Sequence, residues 1–203
     1  AGFTEQAEAL AEGGVDILWI ETMSSTEEVA VAIEAARKTG LPICATMTFD
    51  TATRSMMGVT PADFAKFAIA SGANFIGANC GIGPAELLHS IRGILSETDN
   101  LSVVAKGNCG IPAYVDGAIH YHGTPELMAE YALFARDIGA KIIGGCCGTS
   151  PAHVAAMVSA LDTTPVRDFN DEAMIAALGE AWVDVKMDKL KGSSRRNRRG
   201  RRR

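Results

Sequence analysis

Two adjacent cysteines, Cys146 and Cys147, lie between glycines at the end of a short apolar run that begins at Ile142. Neighbouring side chains in an extended strand point to opposite faces, so adjacent cysteines are an unusual choice for a core. The glycines on both sides permit backbone conformations in which both sulfur atoms turn toward one point. The segment therefore combines soft-ligand chemistry with backbone freedom, which is typical of a metal site.

A third cysteine, Cys80, follows another apolar run. Three thiolates suit Zn²⁺, and three protein ligands leave one coordination position open, as in catalytic zinc sites. A substrate thiol in that position would be deprotonated by the metal and would become a nucleophile for SN2 attack on an activated methyl group. The alternative is that these three cysteines are small buried hydrophobes. Cys109 is a candidate fourth ligand, whereas Cys44, which lies within an apolar run, is expected in the core.

Five apolar segments alternate with helical segments. The apolar segments are the predicted strands that position these thiols. The segments start near residues 15, 42, 74, 101 and 140. They are short and barely alternate between apolar and polar residues, which is typical of a parallel sheet with helical crossovers and both faces buried. Both a (β/α) barrel and an open doubly wound sheet have this pattern. The chain has no Gly-x-Gly-x-x-Gly after the first strand and no P-loop, which disfavours the nucleotide-binding sheet.

Five strand–helix units fall short of the eight that a (β/α)₈ TIM-type barrel contains, so we expect the C-terminal portion of such a barrel. In parallel α/β folds the ends of the strands share one face, where sites form. That face should bring together Glu21 and Thr22, Phe49 and Asp50, Asn79 and Cys80, the segment from Lys106 to Cys109, and the cysteine pair.

Two charged residues at these strand ends have candidate roles. Glu21 would hold a substrate ammonium group or act as a base, unless it is simply a solvated residue near the next helix. Lys106 is a candidate Schiff-base lysine. A lyase or aldolase that uses Lys106, with a phosphate bound at Gly144-Gly145, is therefore a second hypothesis. His120 and His122 are expected on the surface, and no role is assigned to His89 or His153.

The composition is that of an ordinary globular protein, with 47% hydrophobic and 21% charged residues among 203. No apolar run approaches the roughly 20 residues of a membrane helix, and no signal peptide is visible at the start. Five cysteines, an odd number, argue against a disulfide scaffold and for reduced thiols, which predicts a cytoplasmic protein.

Charge and helix patterns predict three regions: a partial barrel over residues 1–162, a helical extension over 163–191 with a helix from Asn170 to Lys189, and an Arg-rich tail over 192–203. The tail contains seven arginines and no acid, and the rest of the chain has a net charge of −12. Such an acidic body is not expected to bind nucleic acid. The tail is expected to be disordered, although RNA, anionic lipid or an acidic partner remains an alternative for it.

The motifs resemble those of the homocysteine S-methyltransferase family, which includes betaine–homocysteine methyltransferases and the homocysteine domain of methionine synthase. The resemblance rests on Gly77-Ala78-Asn79-Cys80 together with Gly144-Gly145-Cys146-Cys147-Gly148-Thr149. Asp16-Ile17-Leu18-Trp19-Ile20-Glu21-Thr22 resembles the family's fourth strand, and Asn108 lies in a turn similar to the one after the seventh. The resemblance to the family covers residues 1 to about 162.

The resemblance implies a (β/α)₈ barrel whose strands four to eight are present here, with Zn²⁺ on Cys80, Cys146 and Cys147. It implies that homocysteine binds through its sulfur, with Glu21, Thr22 and Asn108 as substrate-binding residues. The thiol would be activated as a zinc thiolate and methylated to methionine, with betaine or a methylated cobalamin or folate system as donor. The family's Asp-Gly-x-x-Gly-Thr first strand is absent, so a missing N-terminal half or an oligomer is expected to complete the barrel. A third hypothesis is an inactive fragment or binding module with structural cysteines.

Overall fold

The computed structural model describes residues 1–110 and 112–182. Its strands are β1 (Leu18–Met23), β2 (Ile43–Met47), β3 (Phe75–Cys80), β4 (Ser102–Gly107), β5 (Pro112–Val115), β6 (Ala118–Tyr121) and β7 (Ile142–Gly145). Five of these form a parallel sheet, which confirms the predicted strand–helix alternation. The first strand begins three residues later than the prediction, so Glu21 and Thr22 lie within β1 and not after it.

The helices are α1 (Gly2–Glu12), α2 (Thr26–Arg37), α3 (Pro61–Ala70), α4 (Pro84–Leu95), α5 (Pro125–Asp137), α6 (Pro151–Thr163) and α7 (Asp171–Leu178). Four of them begin at a residue whose side chain accepts a hydrogen bond from the first turn, at Ser25, Thr60, Thr124 and Asn170. Among the described residues, no helix is long and apolar enough to cross a membrane.

The parallel sheet has the strand order β1-β2-β3-β4-β7, which follows the order of the chain. A doubly wound sheet reverses its strand order at a switch point, so the described residues exclude that alternative. One face of the strands packs with the helices in the apolar core, with Ala45, Ile76 and Val103 as in-register examples. We call the opposite face the inner face; it carries Trp19, Cys44, Thr46, Asn79 and Lys106.

On the inner face, the backbone at Gly77 of β3 leaves no room for a side chain beside Val104 of β4. A Cβ atom at this position would lie 2.1 Å from the carbonyl oxygen of Val104 and 2.6 Å from its Cβ atom. No side chain fits there, so glycine is required for this approach of the two strands.

A hairpin of β5 and β6 lies between the fourth and fifth predicted strands, in the segment from Gly107 to Gly123, where the sequence analysis places no strand. Its two-residue turn is Asp116-Gly117, and both residues have positive φ, 50° and 84°. Asp-Gly is a strong signal for such a turn, since both central residues of a type I′ turn need φ above zero. The hairpin could therefore have been predicted from this dipeptide.

The C-terminal part that the structure describes packs against the sheet-bearing region. Helix α7 contacts α4 and α5, and Asp171 accepts a 2.5 Å hydrogen bond from Arg92. The predicted helix from Asn170 to Lys189 is shorter, because it ends at Leu178 before Gly179, whose φ is 88°. Residues 183–203, which include the predicted Arg-rich tail, lie outside the described residues.

Candidate metal centre

Three thiols meet at the carboxyl ends of two strands. Cys80 is the last residue of β3, while Cys146 and Cys147 directly follow β7. The Sγ atoms of Cys80 and Cys147 are 3.9 Å apart, those of Cys146 and Cys147 are 4.0 Å apart, and all three lie within 4.8 Å of one another. Among the described residues this is the one group of three or more His, Cys, Asp or Glu side chains with such spacing. The sequence prediction that these cysteines converge is confirmed.

The backbone is strained where Cys80 joins this cluster. Cys80 has a φ of 63° and Gly81 a φ of 75°, so two consecutive residues are in the left-handed region. A non-glycine residue in this region costs about 1–2 kcal/mol. Thr22, which is β-branched and therefore still less suited to this region, has a φ of 61°. Strain at neighbouring positions is typical of functional sites.

Asn79 links β1, β2 and the segment after β7 through a fully buried amide. Its Oδ1 accepts hydrogen bonds from the backbone N–H of Thr22 (3.0 Å) and from the hydroxyl of Thr46 (2.8 Å). Its Nδ2 donates to Thr22 Oγ1 (2.7 Å) and to the sulfur of Cys146 (3.8 Å). Sequence reasoning placed Asn79 in the motif and assigned it no role, although the structure makes it the residue that fixes both Thr22 and Cys146.

Asn108, a predicted substrate-binding residue, is buried and connects the segment after Cys80 to Cys147. Its Nδ2 donates to the carbonyl oxygen of Gly81 (2.7 Å), and its Oδ1 accepts from the backbone N–H of Cys147 (3.1 Å). Gly81 follows Cys80, so one amide side chain fixes the loops that carry two of the three thiols.

Cys109, the candidate fourth ligand, is buried and points away from the cluster. Its thiol donates to the carbonyl oxygen of Gly123 (3.0 Å) and lies 3.0 Å from Nε2 of His153. The backbone N–H of Cys109 donates to the carbonyl oxygen of Cys147 (2.9 Å). The other ring nitrogen of His153 lies 2.7 Å from the hydroxyl of Ser150 and caps α6. His153 therefore connects the start of α6 to Cys109, whose backbone binds that of Cys147. The sequence did not indicate this role.

Tyr121, at the end of β6, packs directly on the backbone of Gly148. A Cβ atom at Gly148 would lie 2.3 Å from Cγ of Tyr121. Burial beside the Cys147 thiol raises the pKa of Tyr121. The hairpin missed by the sequence prediction thus contributes one wall of the thiol cluster. His120 and His122, on either side of Tyr121, are exposed as predicted.

The thiols differ in acidity because they donate hydrogen bonds to one another. A hydrogen bond from the Cys80 thiol, aided by the amide of Asn79, outweighs burial and lowers the pKa of Cys146 to about 5. As the donor in that pair, and because of burial, Cys80 has a pKa raised above its usual value. Cys146 is therefore the thiol of the cluster whose ionisation its neighbours favour most. Burial raises the pKa of Cys44 to about 12; this cysteine is buried as predicted, although on the inner face and not among the helices.

Glu21 and Lys106, the two charged residues predicted at the strand ends, form an ion pair on the inner face. The Lys106 ammonium nitrogen also lies 5.1 Å from the centre of the Trp19 ring, a cation–π distance. A Schiff-base lysine must attack as a free amine, whereas this nitrogen is already engaged by a carboxylate and an indole. The lyase hypothesis also leaves the three converging thiols without a role.

Comparison with known proteins places this chain in a family. Methionine synthase of Mycobacterium tuberculosis (strain ATCC 25618 / H37Rv) is 28% identical over 185 residues, which cover 87% of this chain and 15% of that protein. S-methylmethionine–homocysteine S-methyltransferase BHMT2 of Rattus norvegicus is 32% identical over 184 residues, which cover 82% of this chain and 50% of that protein.

The fold is similar to that of the homocysteine methyltransferase MmuM from Escherichia coli. The apo crystal structure superposes with a TM-score of 0.64 at 22% identity, over 78% of this chain and 56% of that one. The chain thus spans about half the length of MmuM and BHMT2 and a smaller share of methionine synthase. The family model for homocysteine S-methyltransferase matches residues 1–161, and the chain belongs to that family.

Proposed function

We propose that this chain binds Zn²⁺ through Cys80, Cys146 and Cys147 and serves in methyl transfer to the thiol of homocysteine, which yields methionine. The three sulfur atoms within 4.8 Å of one another carry the proposal. Family membership supports the same reaction class, since the matching model is that of homocysteine S-methyltransferase.

The donor set fits zinc. Three thiolate ligands match a borderline-soft cation, and three protein ligands leave a position for a substrate. Three thiols this close cannot all ionise without a cation, because each thiolate raises the energy of the others. When bound, Zn²⁺ would lower the pKa of a substrate thiol and so supply a nucleophilic sulfur at neutral pH.

The surrounding residues hold the thiols in place for this task. Asn79 orients Cys146 through its side-chain amide, and Asn108 orients Cys147 through the backbone N–H. Such supporting hydrogen bonds typically change metal affinity 10–100-fold. Thr22 serves the site through Asn79, while Glu21 offers its carboxylate to the substrate ammonium group.

We further propose that the five strand–helix units are strands four to eight of a (β/α)₈ barrel. The strand order that follows the chain supports this, as does the contact between Glu21 on β1 and Lys106 on β4, which requires a curved sheet. Methyl transfer is then a property of the closed barrel. The methyl donor is betaine, S-methylmethionine or a methylated cobalamin or folate, and a donor screen on a chain extended by three N-terminal strand–helix units would identify it.

Metal stoichiometry tests the zinc site directly. The protein, purified under reducing conditions and dialysed against Zn²⁺, should retain one zinc per chain by elemental analysis. Cys80→Ser and Cys147→Ser should each lose it, whereas Cys44→Ala, which removes a thiol outside the cluster, should retain it. Wild-type protein that stays folded but holds no zinc after dialysis against Zn²⁺ would refute the proposal.

A further inference from the structure

The ion pair between Glu21 and Lys106 joins two strands that are not neighbours. Glu21 lies on β1 and Lys106 on β4, with β2 and β3 between them. On a flat sheet the two positions would be about 14 Å apart. The Lys106 side chain therefore crosses the concave inner face, and the two side chains are only 24% and 38% exposed.

This pair lies beside the thiol cluster. Lys106 is in register with Asn79 on one side and Gly144 on the other. Asn79 shares this face and contacts the sulfur of Cys146. A Cβ atom at Gly144 would lie 3.6 Å from Cγ of Lys106, so the aliphatic stem runs alongside this glycine. Glu21 directly precedes Thr22, which Asn79 also binds.

We propose that Glu21 and Lys106 recognise the two charges of an α-amino-acid thiol: Glu21 takes the ammonium group, and Lys106 takes the carboxylate. The proposal rests on the proposed function, because it assumes that the substrate sulfur occupies the open position at the three cysteines. It adds a specificity-determining residue, Lys106, as the partner of the substrate carboxylate.

The energetic reason is an exchange of partners. Without substrate the two side chains neutralise each other. A zwitterion opens the pair and replaces each partner with an opposite charge, so no charge is left alone on the inner face. A thiol that lacks either group would open the pair and leave one side chain unpartnered, which is costly in a partly buried site.

Trp19 adds a second donor for the carboxylate. Its ring lies under the Lys106 ammonium, and in the part of the chain that the structure describes its buried indole N–H has no hydrogen-bond partner. Indole nitrogen only donates, so the partner it lacks is a hydrogen-bond acceptor, and a carboxylate oxygen is one. This observation is independent of the ion pair and is consistent with an acceptor atom of the ligand, such as a carboxylate oxygen, on this face.

Thiol binding to the Co²⁺-substituted protein, followed through the sulfur-to-cobalt absorption band, tests the proposal. The three probes are homocysteine, 3-aminopropane-1-thiol, which lacks the carboxylate, and 4-sulfanylbutanoate, which lacks the ammonium group. Wild-type protein should bind homocysteine about ten-fold or more tightly than either analogue.

Lys106→Met should weaken homocysteine binding about ten-fold and leave the affinity for 3-aminopropane-1-thiol equal or higher, because Glu21 is then free. Glu21→Gln should weaken homocysteine binding in the same way and leave the affinity for 4-sulfanylbutanoate equal or higher, because Lys106 is then free. Lys106→Arg should keep the wild-type preference. The control is Lys66→Met, which removes a lysine paired with Glu97 at the surface, and it should behave as wild type.

The outcomes separate the two proposals. If thiols change the cobalt spectrum but Lys106→Met keeps the wild-type preference for homocysteine over the aminothiol, the recognition pair is refuted and the thiol site stands. If no thiol changes the spectrum of any variant, the thiol site fails and the pair fails with it. Cobalt stoichiometry and circular dichroism for each variant show that a loss of preference is not a loss of fold.

Discussion

Asn108 accepts a hydrogen bond from the backbone N–H of Cys147 at 3.1 Å, and through its other amide atom it holds Gly81, the residue after Cys80. Two ligand-bearing loops separated by more than sixty residues in sequence are therefore fixed by one buried side chain. The relationship explains how the thiols reach a common point although β4 lies between β3 and β7.

Replacing Asn108 should loosen the metal site. Asn108→Ala leaves the Gly81 carbonyl and the Cys147 N–H without their partner, and we expect zinc affinity to fall about 10–100-fold in a chelator competition assay. Asn74→Ala is the matched control, because Asn74 likewise binds a backbone N–H, that of Ile43, but at the start of β3. The control should lower the melting temperature with little change in zinc affinity. Equal zinc affinity in both variants would contradict the role of Asn108.

Gly148 should be intolerant of any side chain. Gly148→Ala places a methyl group 2.3 Å from the Tyr121 ring, so the end of the β5–β6 hairpin must move away from Cys147. Gly40→Ala is the control, since Gly40 has nearly the same positive φ, 74° against 77°, but open space around it. Both variants carry the same backbone strain of about 1–2 kcal/mol.

Urea denaturation should therefore show a larger loss of stability for Gly148→Ala than for Gly40→Ala, by about 1–3 kcal/mol. Tyrosine fluorescence quenching should report a more exposed Tyr121 only in Gly148→Ala. If the two variants unfold at the same urea concentration, Tyr121 does not pack on Gly148 in solution.

Asp137 makes stability depend on pH. Burial alone would raise the pKa of this carboxyl, but hydrogen bonds from Arg136 and Arg167 outweigh it and lower the pKa below its usual value. A carboxyl with a lowered folded-state pKa stabilises the fold above its unfolded pKa, and that contribution disappears as the pH falls through the folded value.

Asp137→Asn should therefore lower the free energy of unfolding by about 2 kcal/mol at pH 7, with the difference from wild type shrinking below about pH 4. The control is Asp162→Asn, which changes an exposed carboxylate on α6. Urea titrations from pH 3 to pH 7 measure both. A penalty for Asp137→Asn that stays constant over this range would rule out the linkage.

The parts of this molecule that the sequence predicts are those set by local pattern. Five apolar runs between capped helices predicted the parallel sheet, because strands that are buried on both faces consist almost entirely of apolar residues. The convergence of Cys80 with Cys146 and Cys147 followed from the shared edge of parallel strands. The hairpin was predictable from Asp116-Gly117 and was missed because the long loop was treated as one segment.

Other features depend on curvature and on distant contacts that no local pattern records. The Glu21–Lys106 pair forms because the sheet bends enough for β1 to approach β4, which strand order alone does not indicate. His153 was left without a role because its partner, Cys109, lies 44 residues away in sequence. The role of Asn79 likewise needs the inner-face geometry that brings Thr22 and Cys146 to one amide.

The last prediction concerns thiol reactivity in the metal-free protein. Because the pKa of Cys146 is lowered to about 5, this thiol is ionised at neutral pH, and thiolate is the reactive form. Iodoacetamide at pH 6.5 should therefore alkylate Cys146 first, and its rate should fall only as the pH drops through about 5. Cys44, fully buried and with a pKa raised to about 12, is the internal reference and should stay unmodified.

Peptide mass spectrometry after brief alkylation identifies the modified thiol. Cys80→Ala removes the hydrogen bond that stabilises the thiolate, so the pH at which Cys146 reacts at half its maximal rate should move upward. Zinc added before the reagent should protect Cys146 in wild-type protein and fail to do so in Cys80→Ala, because two thiols hold the metal weakly. Alkylation of Cys146 with the pH dependence of an ordinary thiol would show that Cys80 and Asn79 do not stabilise its thiolate.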